Sequence, residues 1–476
     1  MFTYDLLLGV NVAVFAVVAI LYLRHASASL LHPGAIYLAF HGLIFVVRPI
    51  LSRIYDYNFV YNLYEYMPSW SDRITVILAA NLGFFCFMGT SLKIAGQPME
   101  FRQDQFDFRQ RDLLILPFLI VAALIGPIAL YSTLSTWGTA ASDASTMVRD
   151  ATTKVMINTE SNGYFYQIQT ALASLTAIFA WLFRFRLWSL IPFGIFFLLS
   201  AGTGGRGTFV FGAILLTMLF LYDTHRRWPE WRSAVLAILV AAAFVTVVAD
   251  RGKAVRSLFI DDSAEVYEET DNLAPLEGMD LANMEYFEFI VWAIPQRTGT
   301  YDYFLGNLQL FTEPIPRVLW EGKPAGAPVT LFNLFDYGNP IGMTASLPGG
   351  GWYSLGYIGV IIQCVLFALF YGWLYRILMR GKQSNLMVLT YCVVLANTIV
   401  TYRDGGLLTI VRQTSFYLLP VAGLWVMAKA YNIPSAQKLR QRWIDRMQAR
   451  ESGIVPETQM SPADRRKARA ALAAGN

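Results

Sequence analysis

Long apolar runs alternate with short polar breaks along most of this chain. About 20 consecutive apolar residues cross a bilayer as a helix. Runs of that kind, some of them shorter, cover 6–23, 33–51, 73–92, 113–134, 164–183, 187–201, 208–222, 234–249, 353–375, 386–402 and 407–428. The pattern predicts an all-α, polytopic membrane bundle of about 11 transmembrane helices. The sixth and seventh runs have 15 residues each and flank Gly202-Thr-Gly-Gly-Arg-Gly207, so they form short helices or a re-entrant pair. Coming as a pair, they leave the orientation of the other runs unchanged. The first run could pass for a secretory signal, but residues 1–5 carry Asp5 and no cation, and Arg24 comes after the run. That order of charge fits a retained helix with its N-terminus outside.

Orientation follows from Lys and Arg in the short connections. With the N-terminus outside, the inside connections 24–32, 93–112, 184–186, 223–233 and 376–385 hold 13 Lys and Arg, against 7 on the outside connections and helix ends. The C-terminus then lies inside. The chain divides into 1–249 (helices one to eight), 250–352 (a large outer loop), 353–428 (helices nine to eleven) and a tail, 429–476. The tail has 10 basic and 4 acidic residues and reads as a basic helix at an anionic inner leaflet rather than a nucleic-acid site.

The stretch Asp250 to Gly351 breaks the pattern. Its 102 residues hold 15 acidic and 6 basic side chains. Asp261 to Glu288 is acid-rich and reads as a solvated surface. Tyr286 to Ile294 is apolar but too short to span, which predicts an interfacial or re-entrant helix. Residues 322–351 contain eleven Gly and Pro, a composition that resists helix and strand. A loop of this length is usually functional. No internal repeat is visible.

Composition fits the same picture. Apolar residues make up 55% and charged residues 15%, with mean hydropathy +0.44, where an ordinary globular domain has about 25% charged residues. A soluble enzyme, a disordered scaffold and a disulfide-stapled domain are excluded. Cys86, Cys364 and Cys392 each sit in an apolar run without a CxxC spacing, and read as packing residues.

Soluble catalytic signatures are missing: there is no GxSxG, no Walker loop, no HExxH, and Asp261-Asp262 is not a spaced metal pair. His25, His32 and His225 fall on inside loops and His41 lies mid-helix, so no histidine base is expected outside. What the outer side offers is arginine at membrane depth, a costly placement that tends to mark function. Arg206 follows glycines at a helix start, where free backbone N–H groups and a guanidinium can hold a phosphate. Arg403, in Thr401-Tyr-Arg-Asp-Gly-Gly406, lies between the last two helices and serves function or pairs with Asp404. Arg251, Lys253 and Arg256 open the large loop, and Arg297 follows its short apolar stretch. Arg48, Arg53 and Arg73 read as interfacial anchors. Cations gathered on one face suggest a phosphorylated lipid substrate.

The most specific stretch is Phe311-Thr-Glu-Pro-Ile-Pro-Arg-Val-Leu-Trp-Glu-Gly-Lys-Pro324. Its prolines fix the backbone around Arg317, with Trp320 three residues on, Lys323 six on, and Glu313 before it. This stretch resembles the Pro-Arg-x-Leu-Trp-x-x-Lys-Pro signature of the oligosaccharide repeat-unit polymerases, the Wzy-type O-antigen and exopolysaccharide polymerases. The Gly-Gly-Arg-Gly turn, Trp352-Tyr-Ser-Leu-Gly-Tyr-Ile-Gly359 after the loop, and an Arg near the last outer turn fit the same family in order. The family often has an acidic residue just before the loop-exit Tyr; here Gly351-Trp352 precede Tyr353.

The resemblance implies a metal-independent glycosyltransferase of the helical-bundle, GT-C-like kind, without cofactor, in a bacterial inner membrane. It implies polymerisation of undecaprenyl-pyrophosphate-linked oligosaccharides on the periplasmic face, amid membrane lipids, with a flippase and a chain-length regulator as possible partners. On that reading Arg206, Arg317, Lys323 and Arg403 hold pyrophosphate, with Arg251, Arg256 and Arg297 adding charge. Trp320 and Tyr353 take the sugars, and Glu313 is the candidate base. The rivals are an O-antigen-ligase-type transferase, which commonly uses an outer-loop histidine, and a lipid-linked oligosaccharide transporter, which is expected to show repeats and short loops.

Overall fold

The computed structural model describes residues 2–135, 147–149, 156–158, 167–203, 206–231, 274–315, 319–323, 334, 344–381 and 383–451. It excludes the side chains of the short strands and of 201–203, 206, 280 and 449–451. In chain order the helices are α1 (Phe2–Arg24), α2 (Pro33–Tyr55), α3 (Phe59–Leu63), α4 (Trp70–Ile94), α5 (Gln105–Ser135), α6 (Ala171–Leu182), α7 (Ile191–Thr203), α8 (Arg206–Asp223), α9 (Asn283–Ala293), α10 (Gln309–Thr312), α11 (Leu347–Arg380), α12 (Asn385–Asp404), α13 (Leu407–Ala430) and α14 (Ala436–Glu451). Within α2, Gly42–Val47 is a π-helix. Between α5 and α6, β1 (Met147–Arg149) and β2 (Met156–Asn158) form an antiparallel ribbon with Val148 opposite Ile157, which the helical pattern did not anticipate.

Among the described residues, seven helices are long and apolar enough to cross a membrane: α1, α2, α4, α5, α11, α12 and α13. Three shorter apolar helices cover Ile168–Leu182, Leu187–Ser200 and Gly207–Asp223. Ten of the eleven expected runs are therefore helices here, three of them short. The eighth, 234–249, lies outside the described residues, as do the loop up to 273 and the tail beyond 451.

The helix starts are written in side chains. Ser69 and Asp72 close a capping box on α4, with Asp72 N–H donating to Ser69 Oγ at 3.1 Å and Ser69 N–H to Asp72 Oδ2 at 2.9 Å. His32 caps α2 ahead of Pro33, accepting from Gly34 N–H at 3.1 Å. Burial pulls its imidazole down to about 3, so it caps as a neutral ring.

The long helices pack around α4 and α11, where Gly83 lets Cys364, Pro348 and Val360 approach. Outward they present bulky apolar side chains: Leu6, Val17 and Leu21 on α1, Leu116 and Leu124 on α5, and Ile358, Leu366, Phe370 and Trp373 on α11. So much exposed hydrocarbon over several helices is a lipid-facing wall.

The two ends differ. At one end, here the tail end, Arg111 of α5 grips Asp223 (2.7–2.9 Å) over the Trp181 ring, Gln383 bonds Tyr222 at 2.9 Å and Glu100 at 2.9 Å, and Arg440 of α14 pairs with Asp104. These contacts gather the basic connections 93–112, 223–233 and 376–385, with 10 Lys and Arg between them, and the basic helix α14. The opposite, loop end gathers α3, α9, α10 and the α12–α13 turn.

Three expectations change at the loop end. Glu285 and Glu288, read as part of a solvated acidic surface, lie buried in α9, which takes up Tyr286 to Ala293 of the stretch expected as an interfacial or re-entrant helix and buries Phe287, Phe289, Ile290 and Val291 in the core. Its two glutamates allow this because each finds a cation on the bundle. Arg48 is not a surface anchor: its Nε donates to both Glu285 oxygens at 2.8 Å and its Nη2 to the Glu277 carbonyl at 3.1 Å. The Gly/Pro-rich stretch ends in helix from Leu347, because Pro348 falls in the first turn, where no N–H is needed.

Candidate functional site

Residues of the large loop and the last turn of α12 meet through hydrogen bonds to backbone carbonyls. Asn283, at the start of α9, donates through Nδ2 to the Thr344 carbonyl (2.8 Å), Thr344 Oγ1 (2.7 Å) and the Arg403 carbonyl (2.8 Å). Ser346 N–H also donates to the Arg403 carbonyl at 2.8 Å. One asparagine thus ties α9, the start of α11 and the end of α12 together.

The start of α11 is a helical hairpin. Ser346 caps it, and regular helix stops at Leu355 and Gly356 before resuming as the span. Gly356 has φ +58° and ψ −142°, and a Cβ there would meet Tyr301 Oη at 2.8 Å, so only glycine fits. Gly351 and Gly359 touch where the two arms cross; a Cβ on Gly351 would stand 2.6 Å from Val360 Cα. The hairpin aims Trp352 Nε1 at the Ile294 carbonyl (3.0 Å) and lays the Tyr353 and Ser354 carbonyls against the N–H groups of Asp302 and Tyr303, at 3.2 and 2.8 Å. Tyr353 is half-buried. Asp302 is buried behind it, its carboxyl accepting from Gly306 N–H at 2.8 Å and pushed up by burial.

Glu313, Trp320 and Lys323 do come together. Lys323 Nζ donates to the Glu313 carbonyl (3.0 Å), the Ile315 carbonyl (3.2 Å) and Glu313 Oε2 (3.3 Å), and its N–H closes a turn on the Trp320 carbonyl (3.0 Å). Glu313 Oε1 lies 4.0 Å from Arg412 Nη1, in the second turn of α13. The carboxylate therefore stands between two cations. Arg412 was missed in the sequence, although arginine inside an apolar span is itself a signal.

Arg403 lies across the same turn. Asp404 does not pair with it; Asp404 Oδ1 accepts from Gly406 N–H at 2.9 Å and closes the turn into α13. Arg403 Nε and Arg412 Nε are both buried atoms without a hydrogen-bond partner among the described residues. A buried, unsatisfied guanidinium N–H is costly, and an anion at this turn would relieve it.

Arg297 lies with its guanidinium 3.6 Å from the Trp292 ring centroid, a cation–π contact. Arg206 opens α8, with its side chain outside the described residues. Arg317, Arg251, Lys253 and Arg256 are also outside them.

A second buried cluster at this end was not anticipated. Tyr61 Oη donates to Glu288 Oε2 at 2.5 Å, and Arg73 Nε lies 3.9 Å from the same oxygen, between the Tyr61 and Trp70 rings at 5.1 and 5.0 Å. Burial pushes the Glu288 carboxyl up to about 7 despite the arginine beside it. Two carboxylates inside an apolar run, Glu285 and Glu288, were the legible sign, since each needs a buried partner.

The fold and site define a helical membrane protein with a polar, cation-rich cluster where its large loop meets the last two spans. Comparison of the chain with known protein families, with curated proteins and with solved structures finds no match.

Proposed function

We propose that the protein is a glycosyltransferase that polymerises undecaprenyl-pyrophosphate-linked oligosaccharide repeat units, with the loop end on the periplasmic face of a bacterial inner membrane. The observation that carries this reading is the turn between α12 and α13. There Arg403 and Arg412 each keep a buried N–H without a hydrogen-bond partner among the described residues, and Arg412 lies beside Glu313, which Lys323 also holds. The polymerase-like signature runs through Lys323.

The chemistry follows. The acceptor sugar hydroxyl attacks the anomeric carbon of the lipid-linked chain, the bond from that carbon to the pyrophosphate oxygen breaks, and the hydroxyl proton passes to a carboxylate. The leaving group is already good, so catalysis consists of stabilising its charge and presenting the acceptor. Arg403, Arg412, Arg206 and Arg317 supply the positive charge, and Glu313, oriented by Lys323, is placed to take the proton.

The test is conversion of a purified lipid-linked repeat unit into a product ladder. The ladder should form in EDTA. Arg317→Lys and Arg403→Lys should each lose activity by roughly 30- to 1,000-fold, about 2–4 kcal/mol, because lysine lacks the planar fork. Arg53→Lys, whose parent pairs with Asp5 at the half-exposed rim (3.0 Å), should be nearly silent. Full activity in well-expressed Arg317→Ala and Arg403→Ala variants, or restoration by Mg²⁺ after EDTA, would overturn the assignment.

A further inference from the structure

Around Glu313 the chain carries apolar side chains that stand exposed among the described residues. Leu308, Phe311 and Ile315 recur at helical spacing, and Leu319 and Trp320 follow. All five are exposed, Phe311 at 75% and Leu319 at 79%. We infer that this face is immersed in the lipid leaflet at the loop end, so that 305–315, with Leu319 and Trp320, dips into the membrane rather than standing in a solvated loop.

Depth carries the inference. The polar side of the element is tethered by Glu313 to Arg412, and α10 packs against α13. Arg412 lies five residues beyond Leu407, about 7.5 Å along the helix from its loop-end terminus. An interfacial element buries its apolar face ~5–10 Å into the headgroup–acyl boundary. Val411, next to Arg412, is itself exposed on α13, so the tether holds the element against a helix that presents hydrocarbon outward. Trp320, at the edge of that face, is the residue type that membrane interfaces favour. A bare apolar face at this depth meets acyl chains before it meets water or a soluble partner.

The inference needs only that α13 spans the bilayer, so it stands or falls separately from the transferase reading. The experiment uses the whole protein in phosphatidylcholine vesicles without substrate. Cys364 and Cys392 are buried; Cys86→Ala removes the third cysteine. Phe311→Cys, and separately Leu319→Cys, are labelled with a polarity-sensitive nitrobenzoxadiazole dye. Quenching by lipids bearing a nitroxide near the top of the acyl chain is compared with quenching by aqueous iodide. Val17→Cys on the lipid face of α1 serves as reference. The expected result is blue-shifted emission and nitroxide quenching several-fold stronger than iodide quenching at both positions. Water-like emission with iodide quenching dominant would overturn the inference. A label shielded from both quenchers would also overturn it, because a protein contact would then cover the face. If one variant does not fold, the other decides.

Discussion

A carboxylate with no exposed atom, one hydroxyl donor and a cation 3.9 Å away has a contested charge. Glu288 is such a group: burial opposes ionisation, and Arg73 and the Tyr61 hydroxyl favour it. Arg73, Tyr61, Tyr66, Tyr4, Arg48 and Glu285 surround it from α4, α3 and its flank, α1, α2 and α9 itself. The sign of its linkage is fixed. A carboxyl raised from 4.5 to about 7 holds its proton longer in the folded protein than in the unfolded chain. The stability it contributes is complete below pH 4.5 and is lost as pH rises through about 7. Thermal melting in detergent should therefore show a fall in Tm across that window that Glu288→Gln reduces. Identical pH profiles for the two proteins would show that Glu288 does not titrate there. The sequence displayed the anions of this cluster but not their partners. Arg48 and Arg73 looked like rim anchors because pairing across more than 200 residues leaves no local pattern.

Element boundaries were legible where an apolar run marks them: the runs beginning at 33, 73 and 386 open as helices at Pro33, Trp70 and Asn385. The hairpin of α11 was not. Gly349, Gly350 and Gly351 read as loop because isolated helices disfavour glycine. Here they form helix, and each is crowded by a neighbour: Gly351 by Val360 on the crossing arm, Gly350 by Gln363 and Gly405, and Gly349 by Ser346 and Phe287. Gly359 and Gly126 make opposite cases of the same residue type. A Cβ on Gly359 would collide with the Gly351 carbonyl, whereas Gly126 on α5 has nothing within 4 Å. Gly359→Ala should destabilise by about 1–3 kcal/mol through overpacking. Gly126→Ala should be neutral or gain up to about 1 kcal/mol of helix propensity. Detergent melting curves separate the two, and equal behaviour would mean that the arms do not cross closely.

For the molecule as a whole, the grouping of basic connections at the tail end favours that end as cytoplasmic. Impermeant thiol labelling of intact cells should modify a cysteine placed at Ser263 and spare one at Ser461; the reverse would invert the topology. The whole also depends on a small irregularity in α2. Over Gly42–Val47 the chain closes hydrogen bonds one residue further apart than in an α-helix, and the Phe45 carbonyl accepts from Asn11 Nδ2 at 2.6 Å. Such a stretch is an α-helix holding one surplus residue. Each residue turns an α-helix by about 100°, so the surplus sets the compass bearing of everything after it, Arg48 first. Deleting a single residue between 42 and 47 would leave the composition of α2 almost unchanged, yet it would remove that surplus and with it the bearing that points the guanidinium at Glu285.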